Sequence, residues 1–221
     1  MSEPYFEIRD AASKLCARFP GAYWRALDRD KAYPAEFVQA LTDAGWLSIL
    51  IPEGYGGSGL PLSAAAAALE EMQRAGCNGG ACHAQMYTMG TLLRHGSAAQ
   101  KQRYLPDIAA GKLRLQAFGV TEPSSGTDTG ALETTARLDG DVWVINGQKI
   151  WTSRAEHSDL ILLLARTRAL TEGMKKTDGL SVILVDMAAA KGNGLTIRPI
   201  RTMMNHTTTE AFFDNLRVSA A

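Results

Sequence analysis

At 221 residues and 23.8 kDa, the chain is long enough for one large domain or two small ones. Lys plus Arg and Asp plus Glu each total 23, and this zero formal net charge argues against nucleic acid or an anionic membrane as a partner. The odd number of cysteines, the lack of an apolar or Arg-rich leader and the lack of roughly 18 uninterrupted apolar residues lead us to expect a soluble, cytoplasmic protein.

The first half of the chain carries helical signals. Pro34 stands at a first-turn position, Phe37 and Leu41 follow at i and i+4, and Gly45 supplies a left-handed stop. These signals predict a helix over about 34–44.

Further helical patterns extend to about residue 104. They predict helices over approximately 62–76, 86–96 and 97–104. Ser97 and Gln100 have the S-x-x-Q spacing of a capping box, which marks the start of the last helix. Pro106 and Gly111 then end the helical half. We therefore expect an all-α domain over 1–112.

Beyond this boundary the periodicity changes to short β-type runs. These runs cover residues 113–120, 132–138, 142–145, 160–165 and 180–185. Asp139-Gly140 and Asn146-Gly147 each predict a tight hairpin turn with positive φ. The stretch 169–178 is a polar loop between strands. We therefore expect a small antiparallel β-barrel or sandwich over 113–221.

One segment at the start of the β half has the composition of a ligand-binding turn. Phe118 to Asp128 leaves a strand and enters a turn built from Pro123, Gly126 and small hydroxyl residues. Such a turn exposes backbone N–H groups, which could hold an anionic or carbonyl-rich ligand. On local chemistry alone, an ordinary loop rich in Ser, Gly and Thr is the commoner explanation.

Three motifs together resemble the acyl-CoA dehydrogenase family. The family has an aromatic residue just upstream of a T-E-P-x-x-G-S/T-D run, which is matched by Phe118 and residues 121–128. Its W-[IT]-[ST] segment after N-G-x-K is matched by residues 146–153, and its Q-K-x-x-Y-L-P run by residues 100–106. The resemblance covers nearly the whole chain and implies a helical domain followed by a middle β domain.

This resemblance implies an FAD site in the turn after the first strand. Phe118, Val120 and Thr121 would lie along the pyrimidine edge of the flavin, where donors stabilise charge that develops on the ring. Gly126 would let the backbone approach closely, and Thr127 would touch the pyrophosphate and the acyl-CoA.

A second part of the implied site follows the N-G-x-K motif. Trp151 would form the aromatic wall against the isoalloxazine, and Ser153 would reach N5 and O4, with Thr152 between them in the same segment. Thr167, at the end of a strand, would touch the CoA portion. Without the flanking motif, a core aromatic would be the better explanation for Trp151.

Several other residues allow alternative interpretations. Met86 and Met89 could line an acyl pocket, although helix packing is the commoner role. Cys77, Cys82 and His83 lack the spacing and the fourth ligand of a zinc site, so we predict no metal. The turn 205–210, which contains a histidine, is either on the substrate side or simply solvated.

The resemblance also implies an activity in fatty acid metabolism. An FAD-dependent oxidoreductase of this family converts an acyl-CoA to the trans-2-enoyl-CoA and passes electrons to an electron-transfer flavoprotein, as a homodimer or homotetramer. In the family, a carboxylate of a third, all-α domain removes the α-proton. This chain stops at Ala221, with Ser219 where the family has proline. We therefore assign no catalytic residue and expect a fragment that is inactive alone.

Two alternative functions stay open at this point. One is an oxygen-reactive relative, either an acyl-CoA oxidase or a flavin monooxygenase. The other is a non-catalytic module that binds FAD or acyl-CoA or serves in assembly.

Overall fold

A computed structural model describes residues 5–204 and 206–220 of the chain. The chain divides after Arg114 into two compact units, Met1–Arg114 and Leu115–Ala221. Each unit has its own hydrophobic core. Among the described residues, no helix is both long and apolar enough to cross a membrane.

The first unit is helical. Its helices are α1 (Phe6–Cys16), α2 (Gly21–Asp30), α3 (Ala35–Asp43), α4 (Leu62–Arg74), α5 (Gly80–His95) and α6 (Ala98–Ala109). Helices α1 and α4 are joined by a hydrogen bond of 2.6 Å between Tyr5 and Ser63 and by an ion pair of 2.6 Å between Arg9 and Glu70. Between α1 and α3, aromatic rings pack edge to face around Phe37, which is fully buried.

The helices predicted from sequence are confirmed, with two changes: α5 begins at Gly80 rather than near residue 86, and α6 extends beyond Pro106. The capping box forms as expected: the Gln100 N–H donates to Ser97 Oγ at 3.1 Å, and the Ser97 N–H donates to Gln100 Oε1 at 3.0 Å. Pro106 does not end this helix, which runs to Ala109. The fully buried side chains of Leu105 and Ile108 outweigh the missing N–H. The sequence patterns do not predict α1 and α2.

The second unit is built on one sheet. Its strands are β1 (Leu115–Gly119), β2 (Thr135–Asp139), β3 (Val142–Ser153), β4 (Leu160–Arg166), β5 (Leu180–Asp186), β6 (Leu195–Pro199) and β7 (Thr208–Ser219), with a short helix α7 (Met187–Ala190) after β5. The strand order is β1-β4-β2-β3-β7-β6, and β5 pairs with β4. The expected order of a helical region followed by a β domain is confirmed.

The sheet is mixed rather than antiparallel throughout. Strands β1 and β4 run parallel, as do β2 and β4 at their single contact, and the other pairs are antiparallel. The reason is topological. The β2–β3 hairpin follows β1 and brings the chain back to the end of the sheet at which β1 began, so β4 runs in the same direction as β1. Residues 160–163 of β4 are all buried.

One predicted hairpin turn is confirmed and the other is wrong. Gly140, with φ of 63°, joins β2 to β3 as expected. Asn146 and Gly147, however, lie inside β3. A Cβ on Gly147 would lie 2.5 Å from Thr134 Oγ1, and Asn146 Oδ1 accepts a hydrogen bond from the Asn215 N–H at 2.9 Å in β7. Gly147 therefore permits the close approach of Thr134, and Asn146 binds the bulge at Asn215 of β7. Neither residue reverses the chain.

Candidate functional site

The turn that follows β1 is closed by reciprocal backbone hydrogen bonds. The Glu122 N–H donates to the Ser125 carbonyl at 2.9 Å, and the Ser125 N–H donates to the Glu122 carbonyl at 3.2 Å. Pro123 fixes one of the two intervening backbone conformations. The turn is therefore an ordered structure, with Pro123 and Ser124 exposed at its tip.

The two residues before this turn have their carbonyl groups bound by β3. The Ile150 N–H donates to the Thr121 carbonyl at 2.8 Å, and Lys149 Nζ donates to the Val120 carbonyl at 3.0 Å. Across the described parts of the chain, the backbone N–H groups of Val120 and Thr121 donate to no other residue. Both residues are half-buried, as is Phe118 in β1. Val120 and Thr121, which we call the N–H edge, therefore present two ordered N–H donors that a ligand can use.

A buried ion pair lies under this edge. Lys149 Nζ is 2.7 Å from Glu122 Oε1, and the two side chains are 0% and 3% exposed. The same carboxylate accepts hydrogen bonds from the backbone N–H groups of Glu133 at 2.5 Å and Thr134 at 2.9 Å. Because the charges are paired and hydrogen-bonded, the pair meets the conditions under which burial is tolerated.

The pKa values of the pair are shifted by its surroundings. Burial by itself would raise the pKa of the Glu122 carboxyl, but the hydrogen bonds from Lys149 and Thr134 outweigh it and lower that pKa. Burial lowers the pKa of Lys149, and the facing carboxylate opposes this shift. Glu122 is therefore a carboxylate at neutral pH.

The residues predicted from sequence for the site include neither Glu122 nor Lys149. The sequence hides the place of Lys149, because Asn146-Gly147 predicts a turn. In the structure the strand continues, and Lys149 lies four residues after the fully buried Ile145, on the core face. A lysine at such a position needs a buried partner.

Trp151 stands out at the end of β3 because it is both strained and exposed. Its φ is 62°, in the left-handed region that non-glycine residues rarely adopt, and it is 56% exposed. Lys149 pairs with Ala211 and Thr152 with Thr209, so β3 carries one residue more than β7 between these points. This bulge directs the indole out of the sheet.

The residues after Trp151 combine a buried hydroxyl with tight backbone anchoring. Thr152 is 1% exposed, and its Oγ1 has no hydrogen-bond partner among the residues that the structure describes. Its carbonyl accepts a hydrogen bond from Thr209 Oγ1 at 2.7 Å. Ser153 is half-buried and pairs with Thr208. The buried hydroxyl of Thr152 therefore leaves a donor unused by the fold.

The predicted phosphate and CoA residues lie on neighbouring segments. Arg166 donates to the Gly130 carbonyl at 2.8 Å, and Lys176 forms an ion pair of 2.7 Å with Asp128, so the end of β4 and its following loop adjoin the end of the 120–131 segment. Thr167 comes directly after Arg166, with its hydroxyl bonded to the Gly179 carbonyl at 3.1 Å.

Gly126 and Thr127 are exposed on the same segment. A Cβ built on Gly126 would meet no atom within 4 Å, so the fold itself does not require glycine at this position. Its assignment to close approach of a ligand stays a prediction, as does that of Thr127.

A cavity of about 510 Å³ lies beside the turn and is lined partly by the turn itself. Its walls are Glu122, Pro123 and Ser124 together with parts of residues 133–135 and 146–148. The predicted cofactor residues lie outside this lining. We therefore take the exposed Trp151 and the N–H edge, rather than the cavity, as the candidate site.

Two methionines and two cysteines among the weaker sequence signals lie in the core of the first unit, whereas His83 is exposed. Met86 and Met89 are buried, as in ordinary helix packing. Cys77 and Cys82 are also buried, and their Sγ atoms face the carbonyls of Cys16 and Trp46. Within residues 5–204 and 206–220, no three His, Cys, Asp or Glu side chains are grouped to hold a metal ion. Of the turn 205–210, residue 205 lies outside the described residues.

These groups suit a planar heteroaromatic ligand. Trp151 offers an apolar face, the Val120 and Thr121 N–H groups offer donors to ring carbonyls, and Thr152 offers a buried hydroxyl. An isoalloxazine has both the aromatic face and the carbonyl and ring-nitrogen acceptors that this set can bind. The donor set therefore fits the FAD that the sequence resemblance implies.

Known proteins provide an independent comparison. Residues 2–112 match the family model of the acyl-CoA dehydrogenase N-terminal domain, and residues 117–216 match that of the middle domain. Acyl-CoA dehydrogenase IpdE1 of Mycobacterium tuberculosis is 37% identical over 204 residues, which are 91% of this chain and 50% of the relative. The chain spans about half the length of the curated relatives it matches.

Solved structures extend this similarity to the fold. The acyl-CoA dehydrogenase from Geobacillus kaustophilus has a TM-score of 0.87 at 25% identity, covering 100% of this chain and 57% of that one. A chain in the structure of the electron transferring flavoprotein of Acidaminococcus fermentans has a TM-score of 0.84 at 28% identity, again covering 100% and 57%. With both family models matched in order, the chain belongs to the acyl-CoA dehydrogenase family.

Proposed function

We propose that the second unit forms part of the FAD and acyl-CoA site of an enzyme that oxidises an acyl-CoA thioester to the trans-2-enoyl-CoA. The observation that carries this proposal is Trp151, a strained and exposed aromatic residue on a bulge, next to the N–H edge of Val120 and Thr121. Strain of this kind persists where the surrounding structure enforces it, and it concentrates at functional sites.

In this proposal, FAD supplies the acceptor for the hydride that leaves the β-carbon of the substrate. Trp151 covers one face of the ring and excludes water from it. The N–H groups of Val120 and Thr121, next to Phe118, donate to the pyrimidine edge, where negative charge develops. Thr152 and Ser153 orient the reactive end of the ring with their hydroxyl and backbone groups.

The substrate is assigned to the neighbouring segments. Thr127, with Gly126 beside it, binds both the pyrophosphate of FAD and the acyl-CoA. Thr167 binds the CoA portion of the substrate. The Thr167 hydroxyl also contacts Ser181 Oγ at 2.8 Å, which fixes its orientation. The group that removes the α-proton is assigned to no residue of this chain.

The partners in this proposal come from the family. They are an electron-transfer flavoprotein as electron acceptor and further copies of the same chain in a homodimer or homotetramer. Membership of the family supports both assignments, and the likeness to a chain in an electron transferring flavoprotein structure supports the first.

The test is a titration of the chain with FAD, followed by flavin fluorescence and by calorimetry. We expect weak binding by the wild-type chain, and binding at least about fivefold weaker in a Trp151→Ala variant, because stacking on an indole contributes about 1 kcal/mol or more. Leu138→Ala is the matched control, since Leu138 is 57% exposed on the same sheet and has no assigned role. Equal affinity of the Trp151→Ala variant and the wild type, or no binding at all, would overturn the proposal.

A further inference from the structure

Lys149 connects the two segments that the proposed function assigns to the flavin. It lies in β3, two residues before Trp151, and its side chain is fully buried. Its ammonium donates to the Val120 carbonyl at 3.0 Å and to the Glu122 carboxylate at 2.7 Å. One side chain on the strand that carries Trp151 therefore holds the residues on both sides of Thr121.

The backbone reinforces this connection. The next residue of β3, Ile150, donates its N–H to the Thr121 carbonyl at 2.8 Å. Three consecutive residues, 120–122, are thus bound to two consecutive residues of β3. Bonds on successive residues fix both the position and the rotation of the segment, because a single bond would leave it free to pivot.

The sequence also makes room for the lysine. A Cβ built on Gly119 would lie 3.2 Å from Lys149 Cγ and 3.2 Å from Leu163 Cδ1. The aliphatic stem of Lys149 therefore passes directly over Gly119, in a space that a larger residue would fill.

Stability alone is a weak reason to retain such a pair. Apolar residues of similar volume often replace a buried ion pair at no cost in stability, or even with a gain. What an apolar residue cannot do here is donate to the Val120 carbonyl. We propose that Lys149 is a positioning residue: it sets the Val120–Thr121 edge relative to Trp151, and Glu122 keeps its ammonium in place. The link to the flavin rests on the proposed function.

The test compares two variants of the full chain. Glu122→Gln removes the carboxylate charge but leaves Lys149 able to donate to Val120. The double variant Lys149→Met with Glu122→Gln removes both charges and the bond to Val120, while methionine fills the space of the lysine stem and the glutamine oxygen can still accept from the Glu133 and Thr134 N–H groups. The double variant should fold because it leaves no buried charge. Glu122→Gln should fold with reduced stability, because the buried ammonium loses its counter-charge while the glutamine oxygen can still accept its hydrogen bond.

Hydrogen exchange of single amides measures the positioning without FAD. In the double variant, we expect the Ile150 amide, which binds Thr121, to exchange about tenfold or more faster than in the wild type. The Val185 amide in β5 should not change. In Glu122→Gln, the exchange rate of the Ile150 amide should stay close to that of the wild type. An unchanged exchange rate at Ile150 in the double variant would overturn the proposal.

A second readout and a third variant separate the possible failures. FAD affinity should fall about tenfold in the double variant and little in Glu122→Gln, the loss expected for about one hydrogen bond to a charged group. Gly119→Ala keeps both charges and crowds the stem of Lys149 together with Leu163. It should therefore also speed exchange at the Ile150 amide, and normal exchange there would count against the proposal. Absence of FAD binding by the wild type would count against the proposed function, whereas the exchange results decide the role of Lys149 independently.

Discussion

The Glu122 carboxyl links the stability of the second unit to pH. Its pKa in the folded chain lies below the ordinary value of 4.5, so the folded state binds a proton at this group less readily than the unfolded state does. The stabilisation is therefore complete above pH 4.5 and is lost as the pH falls from there through the lowered pKa. Acid should weaken the anchoring of the turn through this group.

We expect the wild-type chain to lose more stability between pH 7 and about pH 3 than a Glu122→Gln variant, because glutamine has no charge to lose. Urea unfolding followed by circular dichroism at both pH values measures the difference. Asp139→Asn is the control, since Asp139 forms an exposed ion pair with Arg217 at 3.0 Å and contributes little. An equal loss in the wild type and Glu122→Gln would refute this coupling.

At the scale of elements, β3 is unusual in having two irregularities. Near Gly147 it faces a bulge in β7, where Asn215 has φ of 49°, and near Trp151 it carries a bulge of its own. Between them lie only Gln148, Lys149 and Ile150. The bulge at the C-terminal end of β3 therefore exposes Trp151 at the candidate site, and the irregularity at its middle permits close packing at Gly147.

Substitution of Gly147 tests the role of the first irregularity. Gly147→Ala should cost about 2 kcal/mol or more, since the new Cβ would lie 2.5 Å from Thr134 Oγ1 and the φ of 148° suits glycine. Gly126→Ala is the matched control and should change stability by less than about 0.5 kcal/mol. The measurement is the free energy of unfolding in urea. A similar cost for both variants would contradict this account of Gly147.

The sequence predicts elements well where local signals decide them, and poorly where packing does. The capping box of Ser97 and Gln100 is a local signal, and its prediction is confirmed. Asn146-Gly147 also resembles a local turn signal, but the strand β7 beside it keeps both residues inside the sheet. Pro106 fails as a helix end for a similar reason, because buried neighbours keep α6 intact.

At the scale of the whole molecule, each unit has its own core, and we propose a domain boundary near residue 112. A chain starting at Leu115 should fold on its own and unfold cooperatively in circular dichroism and calorimetry. A chain starting at Val120 is the matched control. It lacks β1, which pairs with the buried strand β4, so it should be far less stable. An unfolded 115–221 chain would rule out an independent second domain.

The candidate site could be predicted only in part. Motifs mark Trp151 and the segment after Phe118, because they are short and contiguous. The bulge that exposes Trp151, the carbonyl bonds of Val120 and Thr121, and the link from Lys149 depend on contacts between strands far apart in sequence. Periodicity within one segment carries no information about such contacts.

The left-handed backbone at Trp151 also matters for protein engineering. Asparagine and glycine adopt this conformation at lower cost than tryptophan. Screening a library only for thermal stability would therefore select asparagine or glycine at position 151. The selected variants would be more stable but would lack the indole. Selection for robustness at this position should thus include a screen for ligand retention.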